Sequence, residues 1–582
     1  MKRPDTIRET RWELAPPIPQ QIRQSYNGLS PILLQLLYNR GIVEPGQVQA
    51  FLEGHYLEST DPFLLPDMEL AVGRIQKAID ESEMIVVYGD FDADGITSTV
   101  LLTQALRGLG AERNNIRPYI PDRIDEGYGL NTEALDKIKA MGASLVITVD
   151  CGIRSIDEVD HANDIGLDII LTDHHSLGPQ LPPALAIINP KRPDSAYPEK
   201  MLAGVGIAYK MVQALYLTMP GQAQEPVENY LDLVAIGSVA DLAPLLGENR
   251  RLVNEGLVVL NRLQRPGLAA LANLSGLKKG SLTAESIGFG LGPRINAAGR
   301  LAHAYSAAKL LAVNNPVQAR SLAEELNALN KERQRLTADM SSKAETMVNP
   351  EDFILIAGDD NFAPGVVGLV ASRLTEKHYR PSIVLEMGAE ESRGSCRSIP
   401  EFHITAALDE MAELLVRFGG HAQAAGLTIR NENLTEFEAR MRALAKNQLA
   451  DKPLSPTLTI DAEIDLGDVD WALHETLQQL EPTGYANPAP VFMSRNIEVF
   501  SHRAVGQQGA HLQLRLSTST GNTERIIPAI AFRQGDWATS LPQYIDLAYT
   551  ISVNEWNGRR NLQLMVQDLR PAKITELEPE SL

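Results

Sequence analysis

Short apolar runs that end in an acidic residue recur in the first half of this chain. The run from Met84 to Gly89 is followed by Asp90, Asp92 and Asp94. An uninterrupted apolar run bounded by glycine is typical of a buried strand in a parallel sheet. Three carboxylates after one strand repel one another, and a hard divalent cation with oxygen ligands would relieve that repulsion.

A calcium loop is the first alternative, because the three aspartates and Gly95 match the first half of an EF-hand loop. That match fails at Leu101, where the loop needs a bidentate glutamate. The segment before Asp90 is also strand-like rather than helical. A catalytic metal site is therefore favoured, provided that other strands supply further ligands.

Three more apolar stretches end in candidate ligands, namely Asp150, then Asp173 with His174 and His175, then Asp241. Ligands of an open α/β sheet bind beyond the carboxyl ends of its strands, so these side chains are expected to meet at one edge. Aspartate and histidine together suit Mn²⁺ or Mg²⁺ better than a metal that prefers thiolates. The pattern predicts a site for two divalent ions. Taken singly, Asp150 could cap a helix, and either histidine could act as a general acid.

The amino-acid composition further limits the possible functions. The chain has 582 residues, a net charge of −21 and two cysteines, Cys151 and Cys396, without a CxxC pattern. No apolar run of about 18 residues predicts a membrane span, and the first residues lack the apolar core of a signal peptide. A reduced, cytoplasmic protein without membrane contacts is expected. The negative charge would repel DNA, so any nucleic-acid function must depend on local basic residues and bound metal ions.

The order of patterns predicts several domains. The expected fold class is α/β, with a doubly wound, mainly parallel sheet, a second smaller α/β domain joined by a long helix, and an OB-like β-barrel. The predicted boundaries are a helical region at 1–80, the first α/β domain at 81–304, the connector helix at 305–348, the second domain at 349–452, the barrel at 453–572 and an acidic, disordered tail at 573–582.

Arginines in glycine-containing segments could bind an anionic substrate, because the guanidinium group bonds two phosphate oxygens at once. One segment has Arg294 and Arg300 on either side of a predicted turn, a second has Ser395 and Arg397 near small residues, and a third is a glycine-rich turn that contains His421. Arg123 follows another apolar stretch and would lie near the same edge of the sheet. Each segment alone is also compatible with a tight turn or a solvated loop.

The ordered set of motifs resembles the DHH phosphoesterase superfamily over roughly residues 20–570. The matching segments are 89–95, 150–152, 173–175, 240–241, 292–300 and 419–421. The resemblance implies that the metal ligands are Asp90, Asp92, Asp94, Asp150, His174 and Asp241. It implies a catalytic set of Asp92, Asp94, Asp150, Asp173, His174 and His175. It further implies that Arg123, Ser395 and Arg397 hold a 5′-terminal phosphate, and that Arg294, Asn296, Arg300 and His421 line the substrate path.

The implied activity is a metal-dependent 5′→3′ exonuclease that releases 5′-mononucleotides from single-stranded DNA in repair and recombination. A helicase and a single-strand-binding protein are further partners to consider. The alternatives are a DHH phosphodiesterase acting on short oligoribonucleotides or cyclic dinucleotides, and a non-catalytic scaffold. One departure concerns Tyr88, where many superfamily members carry histidine. Asp90 is the expected substitute ligand.

Overall fold

The computed structural model describes residues 9–26, 28–123, 125–520, 523–556 and 558–572. The chain forms two compact units. The α/β unit consists of Gly54–Leu454 with Gly484–Ala486, and the barrel unit consists of Met1–Glu53, Ser455–Thr483 and Asn487–Leu582. The predicted acidic tail at 573–582 lies outside the described residues.

The barrel unit begins with a short strand and three helices: β1 (Arg11–Leu14), α1 (Gln20–Gln24), α2 (Pro31–Asn39) and α3 (Pro45–Glu53). The predicted helix around residues 30–40 is thus confirmed as α2, with Pro31 at its first position and Leu33, Leu34, Leu36 and Leu37 buried. The strand β1 has no counterpart among the sequence predictions. It pairs in parallel with residues 457–460, far along the chain.

The α/β unit is built first around a five-stranded sheet. Its strands are β2 (Met84–Gly89), β3 (Ile116–Tyr119), β4 (Ala143–Val149), β5 (Asp168–Thr172) and β6 (Ala186–Ile188). All pair in parallel, in the order β3-β2-β4-β5-β6. Alternate residues of β2 enter different buried clusters, Ile85 and Val87 one of them and Val86 and Tyr88 the other. Burial on both faces explains why these strands are continuously apolar.

Helices alternate with the strands, as the sequence pattern predicts, and further helices follow. They are α4 (Met68–Asp80), α5 (Ala93–Gly108), α6 (Thr132–Ala140), α7 (Ile156–Asp164), α8 (Gly204–Thr218), α9 (Leu231–Ala240), α10 (Gly247–Leu260), α11 (Pro266–Leu274), α12 (Gly292–Leu301) and α13 (Tyr305–Ala312). A π-helical segment, Ser286–Leu291, leads directly into α12. Helix α5 is buried along nearly its whole length and packs against α8 and α9.

A long helix, α14 (Pro316–Glu345), leads to a second sheet, which confirms the predicted connector. That sheet contains β7 (Leu355–Asp359), β8 (Ser382–Glu386), β9 (Glu391–Arg397), β10 (Leu415–His421) and β11 (Ala424–Arg430), in the order β10-β11-β9-β8-β7. Its helices are α15 (Val367–His378), α16 (Ile404–Asp409) and α17 (Leu434–Leu449). The segment that contains Arg397 belongs to β9, and the predicted glycine-rich turn around His421 is part of the β10–β11 hairpin.

The remaining elements are β12 (Thr457–Ile460), β13 (Ala462–Glu463), α18 (Trp471–Gln478), β14 (Phe492–Val505), β15 (His511–Thr520), β16 (Thr523–Ala531), β17 (Tyr544–Trp556) and β18 (Arg559–Pro571). The strands β14, β15, β16, β18 and β17 pair in that order, and β17 pairs back to β14. This closure forms the expected five-stranded barrel. Asn557 of the predicted hairpin turn lies outside the described residues.

Short 3₁₀ helices occur at Pro62–Leu64, Val227–Tyr230, Ala412–Leu414, Asn431–Asn433, Leu466–Asp468, Gln507–Gly509 and Gly535–Thr539. In the part of the chain that the structure describes, no helix combines the length and apolar character needed to cross a membrane. The expected fold class of a mainly parallel α/β domain, a smaller α/β domain and a β-barrel is confirmed.

Candidate metal centre

The loop after β2 is held in a tight turn by its own residues. Asp92 caps α5, because its Oδ1 accepts hydrogen bonds from the backbone N–H groups of Asp94 (2.9 Å) and Gly95 (3.1 Å). A Cβ at Gly95 would lie 2.5 Å from the carbonyl oxygen of Asp90. Glycine at this position therefore allows the loop to fold back on the end of β2 and to bring the three aspartates together.

The ligand atoms of seven side chains form three overlapping groups, each with its atoms within 4.8 Å of one another. The groups are Asp90 with Asp92 and Asp150, Asp94 with His174 and Asp241, and Asp150 with His174 and His175. Two groups share Asp150 and two share His174. All six predicted metal ligands are thus brought together, and His175 joins them. We call these seven residues the acid cluster.

Several buried atoms of the acid cluster make no hydrogen bond. Among the described residues, Oδ1 of Asp90, Oδ1 of Asp150 and Nε2 of His174 are buried and make no hydrogen bond. Nε2 of His174 nevertheless lies 3.0 Å from Oδ1 of Asp150. Buried polar atoms without partners are costly unless a bound group satisfies them. Carboxylate oxygens and imidazole nitrogens are ligands that Mn²⁺ and Mg²⁺ accept, so the residues fit two divalent ions.

The electrostatics of the cluster lead to the same conclusion. Burial, followed by repulsion from neighbouring carboxylates, raises the pKa of Asp90, Asp94 and Asp150 above the ordinary value of an aspartate. Burial and the charge of Asp92 raise the pKa of Asp241 to about 7. Burial lowers the pKa of His174, which keeps its imidazole neutral and able to bind a cation. The folded chain thus disfavours these carboxylate charges unless positive charge is supplied.

Neighbouring elements fix the orientation of individual side chains. The N-terminus of α8 holds Asp94, whose two oxygens accept from the backbone N–H groups of Gly204 (2.7 Å) and Val205 (2.9 Å). Asp173 accepts from Nδ1 of His175 at 2.7 Å and from the N–H of Ile153 at 3.0 Å. Asp173 belongs to none of the three ligand groups. Its contacts are those of a residue that positions His175.

Asp241 and Tyr88 are placed as follows. Asp241 was grouped with the strand-end acids, although residues 203–240 were also predicted to be helical, and it follows helix α9. An apolar run alone cannot separate a buried strand from a buried helix. Tyr88 is fully buried, its ring stacks on Tyr119 at 5.1 Å, and its hydroxyl donates to the carbonyl of Gly129. It therefore belongs to the core, and Asp90 lies in the acid cluster as expected.

Beside the acid cluster lies a group of cations that we call the arginine pocket, formed by Arg123, Arg300 and Arg397 with Ser395. The Arg123 guanidinium lies 4.7 Å from the ring of Phe91 and is attracted by Asp90 and Asp92. Burial, followed by repulsion from Arg123, Arg333 and Arg397, lowers the pKa of Arg300 to about 10. None of the three arginines forms an ion pair within the described residues. Such a group of unpaired cations is suited to binding an anion.

Strand β9 and helix α15 shape one wall of the pocket. Nη1 of Arg397 donates to Oγ of Ser395 at 3.2 Å and to the carbonyl of Cys396 at 2.8 Å. A Cβ at Gly368 would lie 3.0 Å from Oγ of Ser395 and 3.3 Å from Nη2 of Arg397. Glycine at position 368 thus allows the backbone of α15 to pack closely against these two polar groups.

The other predicted substrate residues are placed differently. Asn296 and Arg294 lie on α12, which was read as a turn. Oδ1 of Asn296 accepts from the N–H of Ala93 at 2.7 Å, so Asn296 supports the loop between Asp92 and Asp94. Arg294 donates to Asn327 and to the carbonyl of Gly290. The side chain of His421 is exposed at the end of β10, and within the described residues it makes no hydrogen bond to the acid cluster.

Sequence reasoning missed four residues near these groups: Tyr128, Asn189, Lys191 and Arg333. The Tyr128 hydroxyl lies 3.1 Å from Nδ1 of His175. Arg333, on α14, is a cationic neighbour of Arg300. Asn189 and Lys191 directly follow β6, whose position was predicted. Applying the strand-end rule to polar residues of every kind, rather than to acids and histidines alone, would have found both.

Comparison with known proteins places this arrangement in a family. Family models match in three segments: the DHH family N-terminal domain at residues 84–238, the DHHA1 domain at 351–447 and the RecJ OB domain at 460–568. The single-stranded-DNA-specific exonuclease RecJ of Bacillus subtilis is 37% identical over 567 residues, covering 96% of this chain and 70% of that protein. The chain belongs to the RecJ family.

Further RecJ proteins match along nearly their whole length. The single-stranded-DNA-specific exonuclease RecJ of Escherichia coli is 34% identical over 566 residues, covering 93% of this chain and 96% of that protein. The crystal structure of RecJ in complex with Mn²⁺ from Thermus thermophilus superposes with a TM-score of 0.82 at 31% identity, covering 97% of this chain and 80% of that one. Its Mg²⁺ complex gives a TM-score of 0.77 at 30% identity. RecJ proteins are thus known with both ions that the ligand set suggests.

Proposed function

We propose that this protein is a metal-dependent 5′→3′ exonuclease that hydrolyses single-stranded DNA from its 5′ end and releases 5′-mononucleotides. The observation that carries the proposal is the direct adjacency of the acid cluster and the arginine pocket. Arg123 belongs to the pocket, and its charge is attracted by Asp90 and Asp92 of the cluster. A terminal phosphate bound at the arginines would leave the next phosphodiester linkage near the acids.

The protein's own residues have distinct tasks in this reaction. The acid cluster would hold two divalent ions, which would supply an activated water and neutralise charge on the scissile phosphate. The N-terminus of α8 orients Asp94, and Asp173 orients His175 through the bond to Nδ1. Asn296 supports the loop that carries Asp92 and Asp94. These contacts preorganise the cluster before the substrate binds.

Recognition of the 5′ end is assigned to the arginine pocket. Nη1 of Arg397 donates to Oγ of Ser395 on β9, and the backbone of α15 packs closely against both at Gly368. Arg123 and Arg300 supply further positive charge. A phosphate dianion would relieve the mutual repulsion of these cations, whereas a 5′-hydroxyl would not. The pocket therefore sets the polarity of digestion.

The barrel unit has features suited to binding a single strand without reading its sequence. Arg515 lies 5.5 Å from the centre of the exposed Phe500 ring, and Arg560 lies 5.5 Å from that of Trp471. Aromatic rings and arginine planes stack bases of any identity. An enzyme restricted to single strands acts on duplex ends only after they are opened, so a helicase and a single-strand-binding protein are the partners that we propose, with roles in DNA repair and recombination. Because both cysteines are free and buried, we propose the cytoplasm as its location.

A substrate panel with Mn²⁺ tests the proposal. Strands labelled at the 3′ end would be offered as single-stranded DNA, blunt duplex DNA and RNA, alongside cyclic dinucleotides. We expect mononucleotides from single-stranded DNA alone, since the pocket needs a free 5′ end and the barrel has stacking surfaces for a flexible strand. Turnover of cyclic dinucleotides or short oligoribonucleotides without degradation of single-stranded DNA would refute the proposal in favour of a small-nucleotide phosphodiesterase.

A further inference from the structure

Lys191 occupies a distinctive place on the edge of the parallel sheet. The acid-cluster residues Asp90, Asp150 and His174 follow the three inner strands, β2, β4 and β5. The two outer strands are each followed by a basic residue, β3 by Arg123 and β6 by Lys191. Adjacent strands lie about 4.8 Å apart, so the outer strands are separated by about 19 Å with the acids between them.

The loop that carries Lys191 is fixed by a buried side chain. Oδ1 of Asn189 accepts from the backbone N–H of Lys191 at 2.9 Å. Nδ2 of the same amide donates to the carbonyl of His175 at 3.0 Å. Asn189 has no exposed surface. The backbone of Lys191 is therefore tied through one rigid group to the segment that supplies His174 and His175.

The Lys191 ammonium is available for a ligand. Among the residues that the structure describes, it forms neither an ion pair nor a side-chain hydrogen bond, although the residue is half-buried. Burial lowers its pKa, whereas the charges of Asp173 and Asp241 raise it. For Arg123, the charges that raise the pKa are those of Asp90 and Asp92 instead. The two cations thus face opposite ends of the acid cluster.

We propose that Lys191 binds the phosphate on the 3′ side of the scissile linkage, which is the second internucleotide phosphate of the DNA strand. The inference rests on the exonuclease function proposed above. With the 5′-terminal phosphate at Arg123 and the scissile phosphate at the acid cluster, the next phosphate reaches the opposite flank of the sheet edge. A lysine on a flexible stem suits a phosphate that is replaced after every cut. The released mononucleotide lacks this phosphate, so Lys191 holds the remaining strand and not the product.

Binding of uncleavable strands tests this assignment. Each probe is a short 5′-phosphorylated oligothymidylate with a 3′ fluorophore, in which a methylene group replaces the bridging 3′ oxygen of the first linkage. One probe has a normal phosphate at the second linkage and the other has a neutral methylphosphonate there. Fluorescence anisotropy with Mn²⁺ gives the two dissociation constants. We expect the wild-type protein to prefer the charged probe by roughly tenfold, the size of one charged hydrogen bond.

Three variants make the test specific. Lys191→Ala should bind the two probes equally to within about twofold, whereas Lys191→Arg should keep most of the preference. Lys279→Ala removes an exposed lysine after α11 and should retain the wild-type ratio. The ratio compares the dissociation constants of the two probes for the same variant. A substitution that weakens the binding of both probes equally therefore leaves the ratio unchanged.

A wild-type ratio in Lys191→Ala would overturn the assignment. A third probe is neutral at a distant linkage and keeps the phosphate at the second one. If Lys191→Ala abolished a wild-type preference for the fully charged probe over this third probe by as much, the assignment would also be overturned, because Lys191 would then act only through its general charge. The proposed function fails separately if the wild-type protein does not degrade an ordinary single strand. If the wild-type protein degrades single strands but Lys191→Ala keeps the wild-type ratio, only the assignment of Lys191 is wrong.

Discussion

The acid cluster and the arginine pocket are neighbouring regions of opposite charge. In each of them, buried groups of like charge repel one another. In the first, burial and mutual repulsion raise the pKa of carboxyl groups such as that of Asp150. In the second, the same two effects lower the pKa of guanidinium groups such as that of Arg300. The charge of neither region is balanced by the other, even though Arg123 of the arginine pocket is attracted by Asp90 and Asp92 of the acid cluster. A compact fold retains such unpaired charges where a ligand satisfies them.

The two regions differ in how the chain builds them. The acid cluster comes mainly from neighbouring strand ends of one sheet. The pocket takes Arg123 from a loop after β3, Arg300 from α12 and Arg397 from β9 of the second sheet. Metal binding should therefore depend on single side chains, whereas recognition of the DNA end should also depend on how those elements pack. The following experiments separate these dependences.

Loss of a shared ligand should have the largest effect. Asp150 belongs to two ligand groups, and its backbone φ of 64° is a conformation that asparagine tolerates. We expect Asp150→Asn to reduce single-strand degradation by about a thousandfold or more, because a ligand of both ions is weakened. After treatment with a chelator, Mn²⁺ should raise the melting temperature of the wild-type protein by several degrees and that of the variant much less.

Asp451→Asn is the control for this loss, since Asp451 is exposed and remote from the sheet edge in sequence. It should retain both activity and the Mn²⁺-dependent stabilisation. If Asp150→Asn kept full activity, the acid cluster would not be the reaction centre.

Arg397→Ala should affect the pocket and spare the cluster. Loss of a charged hydrogen bond to phosphate should raise the KM for 5′-phosphorylated strands by roughly 10- to 100-fold, with little change for 5′-hydroxyl strands. The Mn²⁺-dependent rise in melting temperature should stay as in the wild type. Arg417→Ala, on β10 of the same sheet but exposed, should leave the KM unchanged. An unaltered preference for phosphorylated ends in Arg397→Ala would remove the pocket from 5′-end recognition.

Helix α12 contacts both regions, so a change there should weaken both. A Cβ at Gly299 would lie 2.3 Å from the carbonyl oxygen of Phe91, and the next residue is Arg300. We expect Gly299→Ala to lower the free energy of unfolding by about 1–3 kcal/mol, because backbone atoms must separate. Mn²⁺ affinity and the preference for 5′-phosphate should fall together.

Chemical denaturation and metal titration would measure these effects, with Gly73→Ala as the matched control. Gly73 lies on α4 with no atom within 4 Å of an added Cβ, so the substitution should be neutral or slightly stabilising. A loss of Mn²⁺ affinity without any loss of end preference would show that α12 serves only the acid cluster.

The smallest expected effect concerns Asn296. Replacement by alanine leaves the N–H of Ala93 without its acceptor, at a cost of about 1 kcal/mol. We expect a modestly weaker Mn²⁺ affinity and an unchanged KM ratio for phosphorylated and unphosphorylated ends. A selective loss of end preference would instead return Asn296 to the substrate path, where sequence comparison placed it.

The acid cluster was largely predictable because each contribution is local. A buried strand, its terminal glycine and the acid that follows can all be recognised within a few residues. Asp241 shows the limit of this reasoning, since its apolar run is helical. Asp173 shows another limit, because only the structure reveals that its oxygens are occupied by His175 and the backbone.

The second sheet was harder to predict, because its strands are rich in glycine. Strand β9 was not predicted, and Gly394 lies within it, where a Cβ would approach the side chain of Leu385 to 2.7 Å. Glycine is needed there for packing, and no local signal distinguishes that need from a turn. Arg333 was missed for a related reason, since its neighbours Arg300 and Arg373 come from other elements of the chain.

The pairing of β1 with β12 has a consequence for biosynthesis. Arg11 pairs with Thr457, which is 446 residues later in the chain. At about 5–20 residues per second, the ribosome needs roughly 20 to 90 s to make the partner of β1 after β1 itself has been made. During that interval β1 presents an unpaired edge to other nascent chains. The barrel unit thus begins first and folds last, and its early segment is where we expect chaperones to act during translation.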